Sequence, residues 1–246
     1  MIQFAVEEAI SADIDEICIV IRKGKEIIRD YFSKVVLQDS DAAVKARLPS
    51  CKITFAYQQK SDGLGGALRA ARPFVGRDPF LMIIPDQLLY SARASASQQL
   101  VSQYAFDRPV VLSSMVKVPK KEVEYFRGSR GLVVDAPRIQ YHRPLAISRV
   151  QSDATIHRSF IRASHEIRGF GRTIFPTAIF AYLSRGFINS KTGEIDLWKT
   201  FKEFPKKIPH YGCLLMGRAC DLGTLAGYYH YLPLFLGMLK PPRCGS

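Results

Sequence analysis

Residues 57–89 read YQQKSDGLGGALRAARPFVGRDPFLMIIPDQLL. The apolar run Ile53 to Tyr57 enters this stretch and predicts a buried strand. Gly63 to Gly66 reads as a loop that opens a helix through Arg72. Phe80 to Ile84 is the next apolar strand, and it ends at Pro85-Asp86. Strand, helix and strand in this order, with near-continuous apolar strands, predict a parallel sheet covered by helices.

Working outward, the residues before this stretch repeat the alternation. Ile2 to Ile10 places Phe4, Ala5, Glu8 and Ala9 at helical spacing. Glu16 to Ile21 is a short β-branched run, hence a strand. Lys25 to Phe32 predicts a helix with Ile27, Ile28 and Phe32 on one face, and residues 35–50 read as a polar, irregular connection. After residue 89 the pattern is less regular. Val110 to Val118 predicts a strand; Gly131 to Asp135 and Arg138 to Tyr141 predict short antiparallel strands. Pro176 to Ser184 and Ile195 to Phe204 read as helices, Gly212 to Met216 as a strand, and Thr224 to Leu236 as a closing helix that Pro233 interrupts or ends.

The 246 residues, 47% hydrophobic and 23% charged, exclude a disordered or collagen-like chain. Acidic Glu7, Glu8 and Asp13 exclude a signal-peptide core in the opening residues. The apolar stretch Tyr231 to Leu239 is well short of the roughly 20 residues of a membrane span, so no membrane is expected. Five scattered cysteines without zinc or CxxC spacing fit a reducing cytoplasm, with Cys213 and Cys220 as ordinary buried thiols. The net charge of +13 points to an anionic partner. Residues 108–172 carry 13 Lys/Arg against 5 Asp/Glu. Nucleic acid is disfavoured, because no RNP, KH or helix-turn-helix signature accompanies these charges.

The chemistry-bearing residues sit at strand ends. Gln58 follows a strand, where a carboxamide can pair with the edge of a base. Gly63 and Gly65 let backbone approach a planar or phosphorylated ligand at a helix N-terminus. Asp86 follows a buried strand directly, in position either to hold Mg²⁺ on a nucleotide's phosphates or to cap a following helix. Asp221 stands in the same context before Leu222-Gly223-Thr224 and carries the same two readings. Glu194 lies in an acidic turn, suited either to sugar hydroxyls or to a helix cap.

Four segments, residues 1–32, 57–89, GEIDLWKTF from Gly193 and CDLGTLAGYYHY from Cys220, resemble the bacterial UTP–glucose-1-phosphate uridylyltransferases, which are sugar-phosphate nucleotidyltransferases. The resemblance implies a Rossmann-like α/β/α sandwich with a mostly parallel sheet and a small antiparallel sheet. It implies one domain over 1–246, with a nucleotide-binding half (1–107) and a sugar-binding half (108–246). It implies transfer of UMP from UTP to glucose 1-phosphate, giving UDP-glucose and pyrophosphate, with Mg²⁺ as cofactor and UTP, UDP-glucose and glucose 1-phosphate as partners. Assembly as a homo-oligomer is compatible with it. By matching position, Gln58, Gly63 and Gly65 resemble the nucleotide-binding residues, Gly171 and Glu194 the sugar-binding residues, and Asp86 and Asp221 the metal ligands.

The chain also departs from the family. The G-x-G-T-R-x-x-P-x-T-K signature, which carries the first strand, the phosphate loop and a catalytic arginine, does not occur, so the catalytic residues are unknown. The E-K-P motif is expected before Gly171, but residues 147–170 hold no lysine; Arg158, Arg162 or Arg168 could stand in for it, although a guanidinium is not an ammonium. Gly66 stands where the family has histidine, and Thr173 where it has tyrosine. These departures lead us to expect that the fold starts part-way through at Met1, and that the chain as written folds poorly and lacks transferase activity. The alternative expectation is a non-catalytic relative that binds nucleotide or sugar phosphate.

Overall fold

The computed structural model describes residues 1–34, 42–47, 50–105, 107–126, 131–134, 141, 143–151, 165–184, 188–190, 192–195, 197 and 208–238. Within these, α1 (Ile2–Ser11) leads into β1 (Glu16–Arg22), α2 (Glu26–Lys34) and α3 (Ala42–Arg47). β2 (Lys52–Gln58), α4 (Gly63–Val75), β3 (Phe80–Ile83) and β4 (Gln87–Tyr90) follow, then α5 (Ala96–Val101) and β5 (Val111–Pro119). A 3₁₀ turn (Lys120–Phe126) precedes β6 (Gly131–Val134), β7 (Leu145–Gln151) and β8 (His165–Phe175). The chain then forms α6 (Ile179–Leu183), β9 (His210–Leu214), β10 (Arg218–Asp221) and α7 (Leu225–Met238).

The fold is mixed α/β with a central sheet and two small ones, as expected, but the central sheet is not mostly parallel. Among its described pairings only β5-β9 is parallel, because β8 runs back between β3 and β5, and β2 and β3, expected in one parallel sheet, lie in different sheets. The central sheet has the order β3-β8-β5-β9-β7-β6, while β1-β2 and β10-β4 form separate pairs. β1 runs parallel to β2 and β5 parallel to β9; β8 is threaded antiparallel between β3 and β5. One face of the central sheet packs Leu112, Val116 and Phe170 against Leu100 of α5, Phe126 and Tyr231 of α7. The other face packs Met82, Val111 and Phe175 against Leu68 of α4 and Ile179 and Leu183 of α6. The β1-β2 pair has its own small core, built with Val6 and Ile10 of α1 and Ile28 and Phe32 of α2.

Several local readings change. Residues 42–47 are helical within the stretch expected to be irregular. α4 begins at Gly63 itself, so the expected glycine loop is its first turn. Phe4 and Ile27 point outward, and the buried face of α1 is Val6, Ala9 and Ile10. Pro233 lies inside α7 without ending it. Its side chain and that of Tyr229, four residues earlier, are exposed, so the carbonyl that Pro233 leaves unbonded is on the solvent side. The strand expected at Arg138 to Tyr141 falls largely outside the described residues, as does the helix expected over Ile195 to Phe204. The residue pattern does not point to β8; only the family resemblance sets Gly171 on a strand. β8 is an eleven-residue strand, and nine of its residues are buried.

α1 is tied to the sheet at both ends of its buried face. A capping box at Ser95 and Gln98 starts α5, and Gln98 Nε2 donates to the Ser11 carbonyl at 2.7 Å. Deeper in, Glu8 meets the guanidinium of Arg172 on β8, with Nε to Oε1 at 2.9 Å and Nη2 to Oε2 at 2.6 Å. Arg172 has no exposed surface. Its remaining nitrogen, Nη1, donates to the carbonyls of Ile84 (3.1 Å) and Gln87, on either side of Asp86.

Candidate functional site

The contacts among the expected site residues form two groups. In the first, Gln58 ends β2 and Gly63 begins α4 with φ of 74°, a left-handed conformation that favours glycine. Gln58 Nε2 donates to Asp62 Oδ1 at 2.7 Å and to the Gly63 carbonyl at 2.9 Å. The loop carrying Glu194 lies directly against this turn. Ile195 N–H donates to the Asp62 carbonyl at 2.8 Å. A Cβ on Gly63 would lie 2.9 Å from Glu194 Cβ, and one on Gly65 would lie 2.8 Å from the Ile195 carbonyl. Gly63 and Gly65 are therefore glycines because the Glu194 loop occupies the space of their side chains. The Glu194 loop is itself closed by Asn189 N–H to the Glu194 carbonyl at 2.7 Å.

The second group surrounds Asp86. No helix follows Asp86; it occupies the turn between β3 and β4, so the capping alternative is excluded. Leu222 N–H donates to the Asp86 carbonyl at 2.8 Å, which draws the end of β10 onto this turn. Asp221 does not cap α7 either, since Thr224 Oγ1 accepts from Gly227 N–H at 3.0 Å in that role. The Asp221 carboxylate instead accepts from Gln87 Nε2 at 2.8 Å and Gly223 N–H at 3.0 Å. Gly223 sits between the two carboxylates: a Cβ there would collide with Asp86 Oδ2 and lie 3.2 Å from Asp221 Oδ1. Burial pushes the Asp221 carboxyl above the usual carboxylate range, and the like charge of Asp86 adds to this; the Gln87 and Gly223 hydrogen bonds oppose it. Asp86 Oδ1 is buried and has no hydrogen-bond partner.

A buried carboxylate oxygen without a donor, beside a second carboxylate, is a donor set for a hard cation. Among the described residues no group of three or more His, Cys, Asp or Glu gathers. The described residues thus offer two carboxylates here, a donor set that suits Mg²⁺ shared with phosphate oxygens and water.

Gly171 joins this second group. Its N–H and carbonyl lie in β8, where the carbonyl accepts from Ile84 N–H at 2.8 Å, and a Cβ would lie 3.0 Å from Gln87 Oε1. The structure places it against the Asp86 turn and gives it no contact with Glu194. Arg168 is buried and engaged with Glu166 on its own strand at 3.0 Å. Arg158 and Arg162 lie outside the described residues. Cys213 and Cys220 are buried free thiols, pushed up to about 11 and about 12 by burial. Among the described residues no helix is long and apolar enough to cross a membrane.

Sequence reasoning missed Asp62, Gln87, Arg172 and Glu8. The signal for Arg172 was present: a cation inside the run GFGRTIF, which is otherwise apolar or small, requires a buried acid. Nothing local pointed to Glu8 as that acid.

Comparison with known proteins fits this geometry. A UTP–glucose-1-phosphate uridylyltransferase 1 of Staphylococcus saprophyticus is 27% identical over 237 residues, covering 92% of this chain and 78% of that protein. UTP–glucose-1-phosphate uridylyltransferase YngB of Bacillus subtilis is 26% identical over 257 residues, covering 98% and 80%. A UDP-glucose pyrophosphorylase solved with UDP-glucose superposes with a TM-score of 0.77 at 22% identity, over 96% of this chain and 86% of that one. A UTP-bound enzyme of the same kind from Acinetobacter baumannii gives 0.72 at 21%, over 97% and 84%. These two share the fold. The sequence pattern described as Nucleotidyl transferase matches residues 1–126, and the chain belongs to that family.

Proposed function

We propose that the chain binds UTP and glucose 1-phosphate and transfers UMP between them, giving UDP-glucose and pyrophosphate. The observation that carries this reading is the pair of carboxylates, Asp86 and Asp221, flanking Gly223 with Asp86 Oδ1 unpartnered. By resemblance to the uridylyltransferases these two positions match the metal ligands, beside which the triphosphate would lie. Gln58 reads the uracil edge, and Gly63 and Gly65 serve the nucleotide site by letting the Glu194 loop close against the turn beside Gln58. Glu194, held against Gly63, accepts from glucose hydroxyls. Asp86 and Asp221 hold Mg²⁺, which supplies positive charge against the phosphate oxygens. Arg172 and Gln87 fix the carboxylates in place, Arg172 through the Ile84 and Gln87 carbonyls and Gln87 through Asp221 itself. An oxygen of glucose 1-phosphate attacks the α-phosphorus, and the bond from that phosphorus to the bridging oxygen breaks as pyrophosphate leaves. The protein's part is alignment and charge neutralisation. Four unpaired cysteines among the described residues suit a reducing cytoplasm as its compartment.

A second reading, nucleotide binding without turnover, is favoured by one observation. Arg168, one of the arginines that could stand in for the missing lysine, is paired with Glu166. Two measurements separate the readings: Mg²⁺-dependent pyrophosphorolysis of UDP-glucose, and calorimetric titration with UTP. Turnover supports transfer. Titration without turnover supports the second reading. No heat with UTP and no turnover refutes both.

A further inference from the structure

Asp62 occupies the N-cap position of α4, yet its side chain makes no capping hydrogen bond. An aspartate at that position usually stabilises its helix through such a bond. Here the carboxylate lies over Gly66 in the first turn and accepts from Gln58 Nε2 at 2.7 Å instead of from a helix N–H. It has space to do so because residue 66 is glycine: a Cβ at Gly66 would overlap the Asp62 carboxylate. Asp62 and Gly66 therefore form a complementary pair, and a side chain at 66 would displace the acid from Gln58.

The consequence falls on Gln58. The second partner of Nε2 is the Gly63 carbonyl at 2.9 Å. A carboxylate and a carbonyl only accept, so the amide nitrogen has to face them and its orientation is unambiguous. Both N–H groups are then committed. Gln58 has only its carbonyl oxygen left to offer, and paired donor–acceptor reading of a base edge is no longer open to it. We propose that Asp62 is a positioning residue for base selection: it locks the Gln58 carboxamide so that the site presents an acceptor. That acceptor takes a pyrimidine whose N3 carries a proton, as in uracil, and rejects cytosine, whose N3 presents a lone pair. This rests on the reading of Gln58 as the base-facing residue.

The test is calorimetric affinity for UTP and for CTP, with Mg²⁺, on the full chain and three variants. Wild type prefers UTP. Asp62→Ala leaves the Gly63 carbonyl as the one remaining anchor, the carboxamide is held less firmly, and the UTP-to-CTP preference falls about tenfold, the worth of one charge-assisted hydrogen bond. Asp62→Asn is isosteric, and its Oδ1 still accepts from Gln58 Nε2 while the Gly63 carbonyl opposes the turned orientation. It therefore retains most of the preference that Asp62→Ala loses, a rescue that a damaged fold does not produce. A purely structural role for Asp62 would weaken both nucleotides equally and leave the ratio unchanged; an unchanged ratio in Asp62→Ala overturns the proposal. Gln58→Ala separates the two levels of the argument. If wild type binds neither nucleotide, or if Gln58→Ala keeps the wild-type ratio, the base-reading assignment of Gln58 fails and the role of Asp62 fails with it.

Discussion

Glu8→Ala tests how the Asp86 turn is held. Arg172 is fully buried, and Glu8 is the acid that neutralises it through two hydrogen bonds. Removing one partner of a buried ion pair costs about 3–5 kcal/mol, because the other charge stays buried. Ser97 also donates to Glu8 Oε1 from its N–H, at 2.9 Å, and from its hydroxyl. Leaving these donors without an acceptor adds about 1 kcal/mol. A little of the Glu8 side chain reaches solvent, so the lower end, about 3–4 kcal/mol in total, is expected. Set against a typical stability of roughly 5–15 kcal/mol, this is a large loss. With a urea slope of about 2 kcal/mol per M, the unfolding midpoint falls by about 2 M. Replacing both residues, Glu8→Met with Arg172→Met, removes the charges together and restores at least half of the loss. The double variant still fails to bind UTP with Mg²⁺, because the Ile84 and Gln87 carbonyls have lost the guanidinium. A midpoint shift worth less than about 1 kcal/mol for Glu8→Ala would refute the reasoning, since Arg172 would then have another way to be neutralised.

Other substitutions and conditions follow from the same contacts. Asp86→Asn removes a like charge beside Asp221 and breaks none of the side-chain hydrogen bonds described above, so the melting temperature holds or rises while Mg²⁺-dependent UTP binding is lost; thermal scans with and without Mg²⁺ and UTP read both effects. Gly65→Ala places a methyl group 2.8 Å from the Ile195 carbonyl, destabilises the fold by about 1–3 kcal/mol, and raises KM for glucose 1-phosphate more than for UTP by shifting the Glu194 loop. His210 packs its Nε2 2.8 Å from Ser113 Oγ, and burial pushes its pKa from 6.5 down to about 3. The unfolded chain takes up a proton that the folded one refuses. Stability therefore declines as pH falls below about 6.5, by up to about 1.4 kcal/mol per unit, and the decline ends near the folded value. Urea titrations at several pH values measure that slope, and His210→Gln, which keeps a hydrogen-bonding group beside Ser113, flattens it.

The elements that were legible in the sequence are those whose residues settle their environment locally. β1 and β2 are short apolar runs, and β5 is buried almost throughout, so hydrophobic patterning finds them. β8 escapes that logic. Glu166, Arg168 and Arg172 give it the look of a surface segment, yet each is neutralised in place, Arg172 by a residue 164 positions away. The glycines at 63, 65 and 66 suggest a loop, because their helical role depends on Glu194, Ile195 and the Asp62 carboxylate occupying the space of absent side chains. For the same reason Gln58, Asp86 and Asp221 could be nominated from strand ends and from resemblance, while their environments could not. The hydrogen bond from Gln87 to Asp221 joins residues 134 apart, and the bare oxygen of Asp86 emerges only once that bond is in place.

The threading of β8 between β3 and β5 also bears on how the chain is made. β5 is complete at Pro119, but β8 does not begin until His165. At roughly 5–20 residues per second, ribosomal synthesis of the intervening segment takes about 2–9 s. Throughout that interval two apolar strands stand with their facing edges unpaired, in a nascent chain that already holds nearly all of the stretch matching the nucleotidyl transferase family. Slow pairing across a long separation adds to the delay. Yield in the cell should therefore depend on translation speed and on holding chaperones over residues 120–165 more than on the stability of the finished fold.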